Sequence, residues 1–342
     1  MIRRSQRPLR ATPAIHHHES RCMVFTGAST SRALEDPDEI SELLKDRHNF
    51  VWFDLAEPTA HDLELLKAEF ALHPTAIEDA ALVHERPKIE AFDGYHLVVA
   101  HAATLEGTAL VLHEIAIFVG GNFVVTIRAH PVFPLDEIER RWTSRGSVPH
   151  TSAGLLYVIL DVIVDAYHPV TVEYEERLVA IENQVVGPRP GGTASVLRGI
   201  LGFKRDLVEL RHAAAPMRDI LSPVLRGELG TLDPSLNAYF RDVYDHALRT
   251  TDQIDAIRDL LNSTLDIHLS SEAHRQSEVS KQLTVIATIF LPLAYITGFF
   301  GQNFGWMVNR IGELPQFLWL GVGSQALTVI ALVAYFRHKR WF

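Results

Sequence analysis

The sequence predicts an α/β domain followed by a helical hairpin, a very long stalk helix and two C-terminal transmembrane helices. Three observations predict this. Strand-like and helix-like patterns alternate up to about residue 130. The strands then stop, and from Ser235 no Gly or Pro interrupts a helical pattern until Pro292. Finally, residues 283–300 (LTVIATIFLPLAYITGFF) and 317–336 (FLWLGVGSQALTVIALVAYF) carry no charge at all. A bilayer core of about 30 Å needs roughly 20 apolar helical residues, which both runs approach.

Residues 1–22 read as a disordered tail, with basic residues but no apolar stretch that would make a signal peptide. His16, His17 and His18 are either a metal-binding tract or part of a functionless tail. Residues 23–133 form the α/β domain. Its predicted strands cover 23–27, 49–55, 88–92, 95–104, 109–120 and 122–129, with helices at 37–46, 60–70 and 75–83. Phe92-Asp93-Gly94-Tyr95 and Gly120-Gly121-Asn122 supply turn chemistry. No Gly-rich phosphate loop and no nucleophile elbow occurs, so an enzyme reading has no footing.

Residues 134–234 read as helices at 134–145, 150–186 and 193–221, the last two joined at Gly187-Pro188-Arg189-Pro190-Gly191-Gly192 into an antiparallel hairpin. The stalk follows over 235–282 and the first membrane helix over 283–300. A continuous rod from 235 to 300 would be roughly 100 Å long. Such a rod needs sister helices, so the chain is expected to assemble with copies of itself around an axis. The loop 301–316 then leads to the second membrane helix at 317–336. The basic tail 337–342 (RHKRWF) puts the C-terminus, and with it the N-terminal bulk, in the cytosol by the positive-inside rule.

Charge is consistent with that organisation. Lys plus Arg number 32 against 42 for Asp plus Glu, a formal charge of -10. A net acidic chain suits cations as partners and argues against nucleic acid. The lone Cys22 excludes an intrachain disulfide and Cys-rich zinc sites. On the stalk, Asp242, Asp245, Asp252, Asp255, Asp259 and Asp266 fall mostly on one stripe, while Val243, Ile254, Ile257, Leu261 and Leu265 cluster on another. The acidic stripe is read either as a solvated face partly paired with Arg249 and Arg258, or as carboxylates that a hard divalent cation would bridge to a neighbouring chain. Ser280, Leu283, Ala287, Leu291, Ala294 and Gly298 share one face of the first membrane helix. That face is either a packing surface or the lining of a pore for a hydrated ion, closed by dewetting at Leu283 and Leu291.

The segment LTVIATIFLPLAYITGFFGQNF (283–304) resembles the first membrane helix and signature loop of the CorA-type magnesium transporters. YFRDVYDH (239–246), LLNSTLDIHLSS (260–271), HPTAIEDAALVHERPKIEAFDGYHLVV (73–99) and the terminal RHKRWF resemble further parts of that family, in order. The resemblance implies a homopentameric funnel in the cell membrane with cytosolic termini, transporting divalent cations without a prosthetic group. Mg2+ is the first expectation as cargo, with Co2+ or Ni2+ as passengers, and Mg2+ bound between subunits is expected to close it.

Residue by residue, the family's Gly-Met-Asn signature falls on Gly301, Gln302 and Asn303. Asn303 would offer its amide carbonyl to the ion's water shell, and Gly301 would permit the turn that ends the helix. Pore positions fall on Leu283, Leu291, Ala294 and Gly298, with Asp266 at the narrow cytosolic end. Regulatory metal positions fall on Asp79 and Asp242, with Glu78 and Asp161 beside them. Gln302 departs from the signature Met, Ala294 from a common pore Thr, and the outer loop keeps only Glu313, opposed by Arg310. These departures bear on which cation passes. A zinc transporter of the same superfamily is the alternative, and a non-conducting, membrane-tethered metal sensor is the alternative of another class.

Overall fold

The computed structural model describes residues 20–26, 30–33, 39–81, 86–128, 135–144, 148–186, 193–228, 234–302, 305–310, 313–339 and 341. Two compact units divide the chain, residues 1–262 and 263–342.

The first unit is built on a seven-stranded sheet of order β2-β1-β3-β7-β6-β5-β4. Its strands are β1 (Ser20–Thr26), β2 (Thr30–Ala33), β3 (Asn49–Ala56), β4 (Lys88–Phe92), β5 (Tyr95–Glu106), β6 (Ala109–Gly120) and β7 (Phe123–Arg128). Only the central β3–β7 pair is parallel; the other five pairings are antiparallel. Gly94 (φ 82°) and Gly107 (φ 62°) take the left-handed turn positions of the β4–β5 and β5–β6 hairpins.

Three short helices cover one face: α1 (Ile40–Leu44), α2 (Ala60–Glu69) and α3 (Pro74–Ala81). Thr59 and Asp62 form a reciprocal capping box that starts α2. The core beneath these helices joins Ile40, Leu66 and Ile77 to Val51, Phe53, Leu97 and Phe118. On the sheet, β7 and all of β3 beyond Asn49 are buried along their lengths, as expected of central strands covered on both faces.

The hairpin region comprises α4 (Leu135–Ser144), α5 (Ser152–Val186), α6 (Thr193–Ala214) and α7 (Met217–Leu225). The Tyr167 hydroxyl on α5 donates to the backbone carbonyls of His101 and Ala213, fastening α5 to β5 and α6. After a 3-10 turn at Pro234–Leu236, α8 runs from Asn237 to Phe300. In the first unit it packs Tyr239 and Phe240 against Tyr157 of α5. Val243, Ile254, Ile257 and Leu261 are buried as the stripe pattern predicts, and Leu265 is half-buried. The chain ends in α9 (Gly305–Arg310) and α10 (Leu314–His338), whose Phe317–Gly323 stretch is π-helical.

Three expectations need correction. Ser20–Cys22, read as tail, are paired in β1 against Leu55, Asp54 and Phe53, because β3 needs an outer neighbour to satisfy its backbone. β2 has no apolar alternation to reveal it (TSRA); its pairing with β1 makes it a strand. The single helix expected over 193–221 divides at Ala215–Pro216, where Pro216 cannot donate to the α6 ladder and instead caps α7. The His triplet lies outside the described residues.

Among the described residues, three helices are long and apolar enough to cross a membrane, and burial separates them. The most apolar stretch of α5 is 72% buried inside the chain, whereas those of α8 and α10 are 6% and 0% buried. α5 is therefore a core helix. The other two carry large apolar side chains with no protein over them, such as Phe290, Tyr295, Trp319 and Ile330.

Candidate functional site

The outer half of α8 has two opposed faces. Val285 is buried, and Ile289, Pro292, Leu293 and Ile296 are half-buried along the same stripe. Ser280, Leu283, Ala287, Leu291, Ala294 and Gly298 are all exposed. At about 100° per residue, the mean directions of the two sets differ by about 180°. Thr297, exposed and about a quarter-turn round from the half-buried stripe, accepts from the Gln325 amide of α10 at 3.1 Å, a polar tie between the two helices. The other stripe is small or aliphatic and holds no ionisable group. The Thr284, Thr288 and Thr297 hydroxyls donate to the carbonyls of Ser280, Thr284 and Leu293, four residues back, so these donors are satisfied within the helix.

At the helix end, the Gly301 amide still donates to the Thr297 carbonyl at 2.9 Å, and Gln302 to Phe299 at 3.3 Å. Gly301, expected to permit the turn that ends the helix, stands at that turn without a positive φ. A Cβ there would lie 3.1 Å from the Thr297 carbonyl oxygen, so close approach is what the glycine allows. Gln302 is exposed, and Asn303 lies outside the described residues. Asp266, lower on α8, is exposed and lines a shallow groove with Ser263, Ser270 and Ser277.

The expected regulatory carboxylates fall into two separate groups. Asp79 sits near the end of α3 with Oδ2 2.8 Å from Lys88 Nζ, and the same ammonium lies 3.1 Å from Glu90. Burial works against the Lys88 charge, but its hydrogen bonds to both carboxylates outweigh this and raise its pKa. Glu78, next along α3, is exposed. The second group joins α4, α5 and α8. Arg141 donates to Asp161 at 2.8 Å, Asp165 at 2.7 Å and Glu137 at 2.6 Å. His246 on α8 stands 3.9 Å from both Asp165 and Asp242. The Asp242 side chain is 64% exposed, whereas Asp161 is 7% exposed and faces the guanidinium. Asp161 is thus buried against a guanidinium that it shares with Asp165 and Glu137, a partnership that helix periodicity could not display.

Among the described residues, no three His, Cys, Asp or Glu side chains of one chain are arranged to hold a metal ion. The acidic stripe is divided too. Asp255 is held by Arg211 of α6 at 2.7 Å and by Arg258 at 2.9 Å, and Asp259 by Arg258 at 3.0 Å. The Arg211 bond holds the Asp255 carboxyl below its ordinary range. Its contribution to stability is present above the unfolded carboxylate pKa and lost as pH falls through the lower folded value. Asp242, Asp245, Asp252 and Asp266 stay exposed. Sequence reasoning missed Lys88, Arg141, His246 and Arg211, whose roles arise from contacts between elements distant in sequence.

The profile of the family described as CorA-like Mg2+ transporter protein matches residues 47–339. The chain belongs to this family. The CorA-like match spans strands β3 to β7 of the sheet, the hairpin helices, all of α8 and α10. The chain is 32% identical over 293 residues to the putative metal ion transporter YfjQ of Bacillus subtilis, covering 85% of this chain and 89% of that one. It is 32% identical over 284 residues to the cobalt/magnesium transport protein CorA of Thermotoga maritima, covering 80% and 77%. The complete structure of the CorA magnesium transporter from Methanocaldococcus jannaschii superposes with a TM-score of 0.79 at 23% identity, covering 94% of this chain and 98% of that one. At that identity the superposition speaks to fold, and it extends the CorA-like architecture over nearly the whole chain.

Proposed function

We propose that the chain transports divalent cations across the cell membrane as a homopentamer, with Mg2+ as the first cargo and Co2+ or Ni2+ as passengers. The observation that carries this is the uncharged, exposed face of α8, opposite its half-buried stripe, in a chain of the CorA-like family. Five copies of that face around an axis would line a conduit without fixed charge, suited to an ion that keeps its water. Co2+ and Mg2+ are the ions named for the Thermotoga relative. The zinc alternative gains no support from this face, which has no Cys or His to supply soft ligands. Arg337 in the last turn of α10, with Lys339 and Arg340 following, favours cytosolic termini.

Cysteine scanning tests the lining. Cys22, the chain's only cysteine, is buried, and burial pushes its thiol up to about 12, so the background labelling is low. In the membrane-inserted protein, Ala294→Cys is expected to react with a charged, water-soluble thiol reagent and Val285→Cys to stay unlabelled. Equal labelling of both would remove the pore assignment.

For regulation, Asp79 and the exposed Asp242 are proposed to share cytosolic Mg2+ between neighbouring subunits, since neither group makes a site within one chain. Asp79→Asn and Asp242→Asn are each expected to raise the internal Mg2+ needed for closure several-fold in patch-clamp or flux recordings. Unchanged closure in both would mean these carboxylates do not read Mg2+.

A further inference from the structure

We propose that Lys88 is a tethered competitor for the regulatory cation: its ammonium occupies the place at Asp79 that a divalent ion would take, and so sets how much Mg2+ closure requires. This rests on the reading of Asp79 as a regulatory ligand. Lys88 Nζ lies 2.8 Å from Asp79 Oδ2 and 3.1 Å from Glu90 Oε1. Residues 88 and 90 are two apart on β4, so their side chains leave the same face of the strand. The ammonium therefore bridges a helix carboxylate and a strand carboxylate with one positive charge against two negative ones. All three side chains are partly shielded, at 24% exposure for Lys88, 27% for Asp79 and 42% for Glu90. The attraction is accordingly screened less than at an open surface.

The carboxylate oxygens here are hard donors of the kind Mg2+ and Ca2+ take. A divalent ion approaching Asp79 meets an oxygen already engaged and a positive charge beside it. Binding requires the lysine to swing aside, which its four-carbon stem permits. Without that ammonium, Asp79 and Glu90 would face each other uncompensated, and their repulsion would favour a bridging cation. Lys88 thus keeps the site empty until cytosolic Mg2+ is high, and it holds α3 against β4 meanwhile. Among the described residues, Asp242 has no lysine or arginine tether; His246 stands 3.9 Å from it.

The test is protection of the full-length protein in detergent from chymotrypsin as MgCl2 is raised. Chymotrypsin is chosen because it does not cleave after lysine, arginine or glutamine; the weak site that methionine adds is controlled by Lys88→Gln. Lys88→Met is expected to lower the half-protecting Mg2+ concentration by about tenfold, the scale of one close opposite charge on a carboxylate. Lys88→Arg, which keeps the charge, is expected to stay at the wild-type value. In an Asp79→Asn background, Lys88→Met is expected to lose most of its effect. Lys88→Gln serves as the second neutral variant if Lys88→Met does not fold, and the same direction is required of it. An unchanged or raised Mg2+ requirement in the neutral variants, with Asp79→Asn still shifting protection, overturns the competitor role alone. Failure of Asp79→Asn itself to shift protection overturns the regulatory reading beneath it.

Discussion

Arg128→Met is expected to destabilise the sheet unit by about 3–5 kcal/mol, the largest stability effect of any single substitution considered for this chain. Arg128 at the end of β7 lies two residues beyond Thr126, the register partner of Asp54 in β3, so the Arg128 and Asp54 side chains share one face of the sheet. Arg128 Nη2 donates to Asp54 Oδ2 at 2.6 Å, and Nε lies 3.1 Å from both carboxylate oxygens. Thr126 Oγ1 donates to Asp54 Oδ1, and the Trp52 indole donates to Thr126 Oγ1 at 3.2 Å. The pair is 2% and 1% exposed. Burial pushes the Asp54 carboxyl up, and the guanidinium and the Thr126 hydroxyl oppose it. Removing the guanidinium leaves a buried carboxylate that must either stay charged without a partner or take up a proton. Chemical denaturation of the full-length protein followed by tryptophan fluorescence checks this, since Trp52 reports from the same network. A loss under 1 kcal/mol would mean that the pair is dispensable.

Asn303→Ala is expected to reduce Mg2+ uptake to background while leaving membrane insertion intact. In the proposed pentamer, the five amide carbonyls are the polar groups that meet an incoming hydrated cation, because the α8 face below them carries aliphatic and small residues. A methyl group cannot hydrogen-bond to the ion's water shell, and an entrance without such dipoles gives the ion nothing in exchange for its bulk hydration. The readout is uptake in a magnesium-auxotrophic strain, with insertion verified by membrane fractionation. Wild-type uptake by Asn303→Ala would move the Asn303 assignment elsewhere, and an intact protein that never supports uptake would favour the membrane-tethered sensor.

Most elements of this fold are legible in the sequence because each carries its own period. β5 and β6 alternate or run apolar between turn glycines, and α8 keeps a buried stripe of Val243, Ile254, Ile257 and Leu261 over several turns. β2 is not legible, since TSRA has no pattern beyond its pairing with β1. The split between α6 and α7 had a signal in Pro216, which a purely periodic reading passes over.

At the site, the opposed faces of α8 are readable from spacing, because one helix supplies both. The state of each carboxylate is not. Asp79, Asp161 and Asp255 look alike along the chain. Their cations, Lys88 on β4, Arg141 on α4 and Arg211 on α6, reach them through tertiary packing. A sequence period can put a charge on a face but cannot name what stands opposite it.

The central claim is the proposal that copies of the exposed α8 face line a conduit for hydrated divalent cations. Purified full-length protein reconstituted in liposomes, with an entrapped ion-sensitive dye, tests it most directly when Mg2+, Co2+, Ni2+ and Zn2+ are each added outside. The account predicts dye-reported entry of Mg2+ down its gradient, faster than Zn2+ and absent from protein-free liposomes. Verified insertion with no entry of any of the four ions would contradict it.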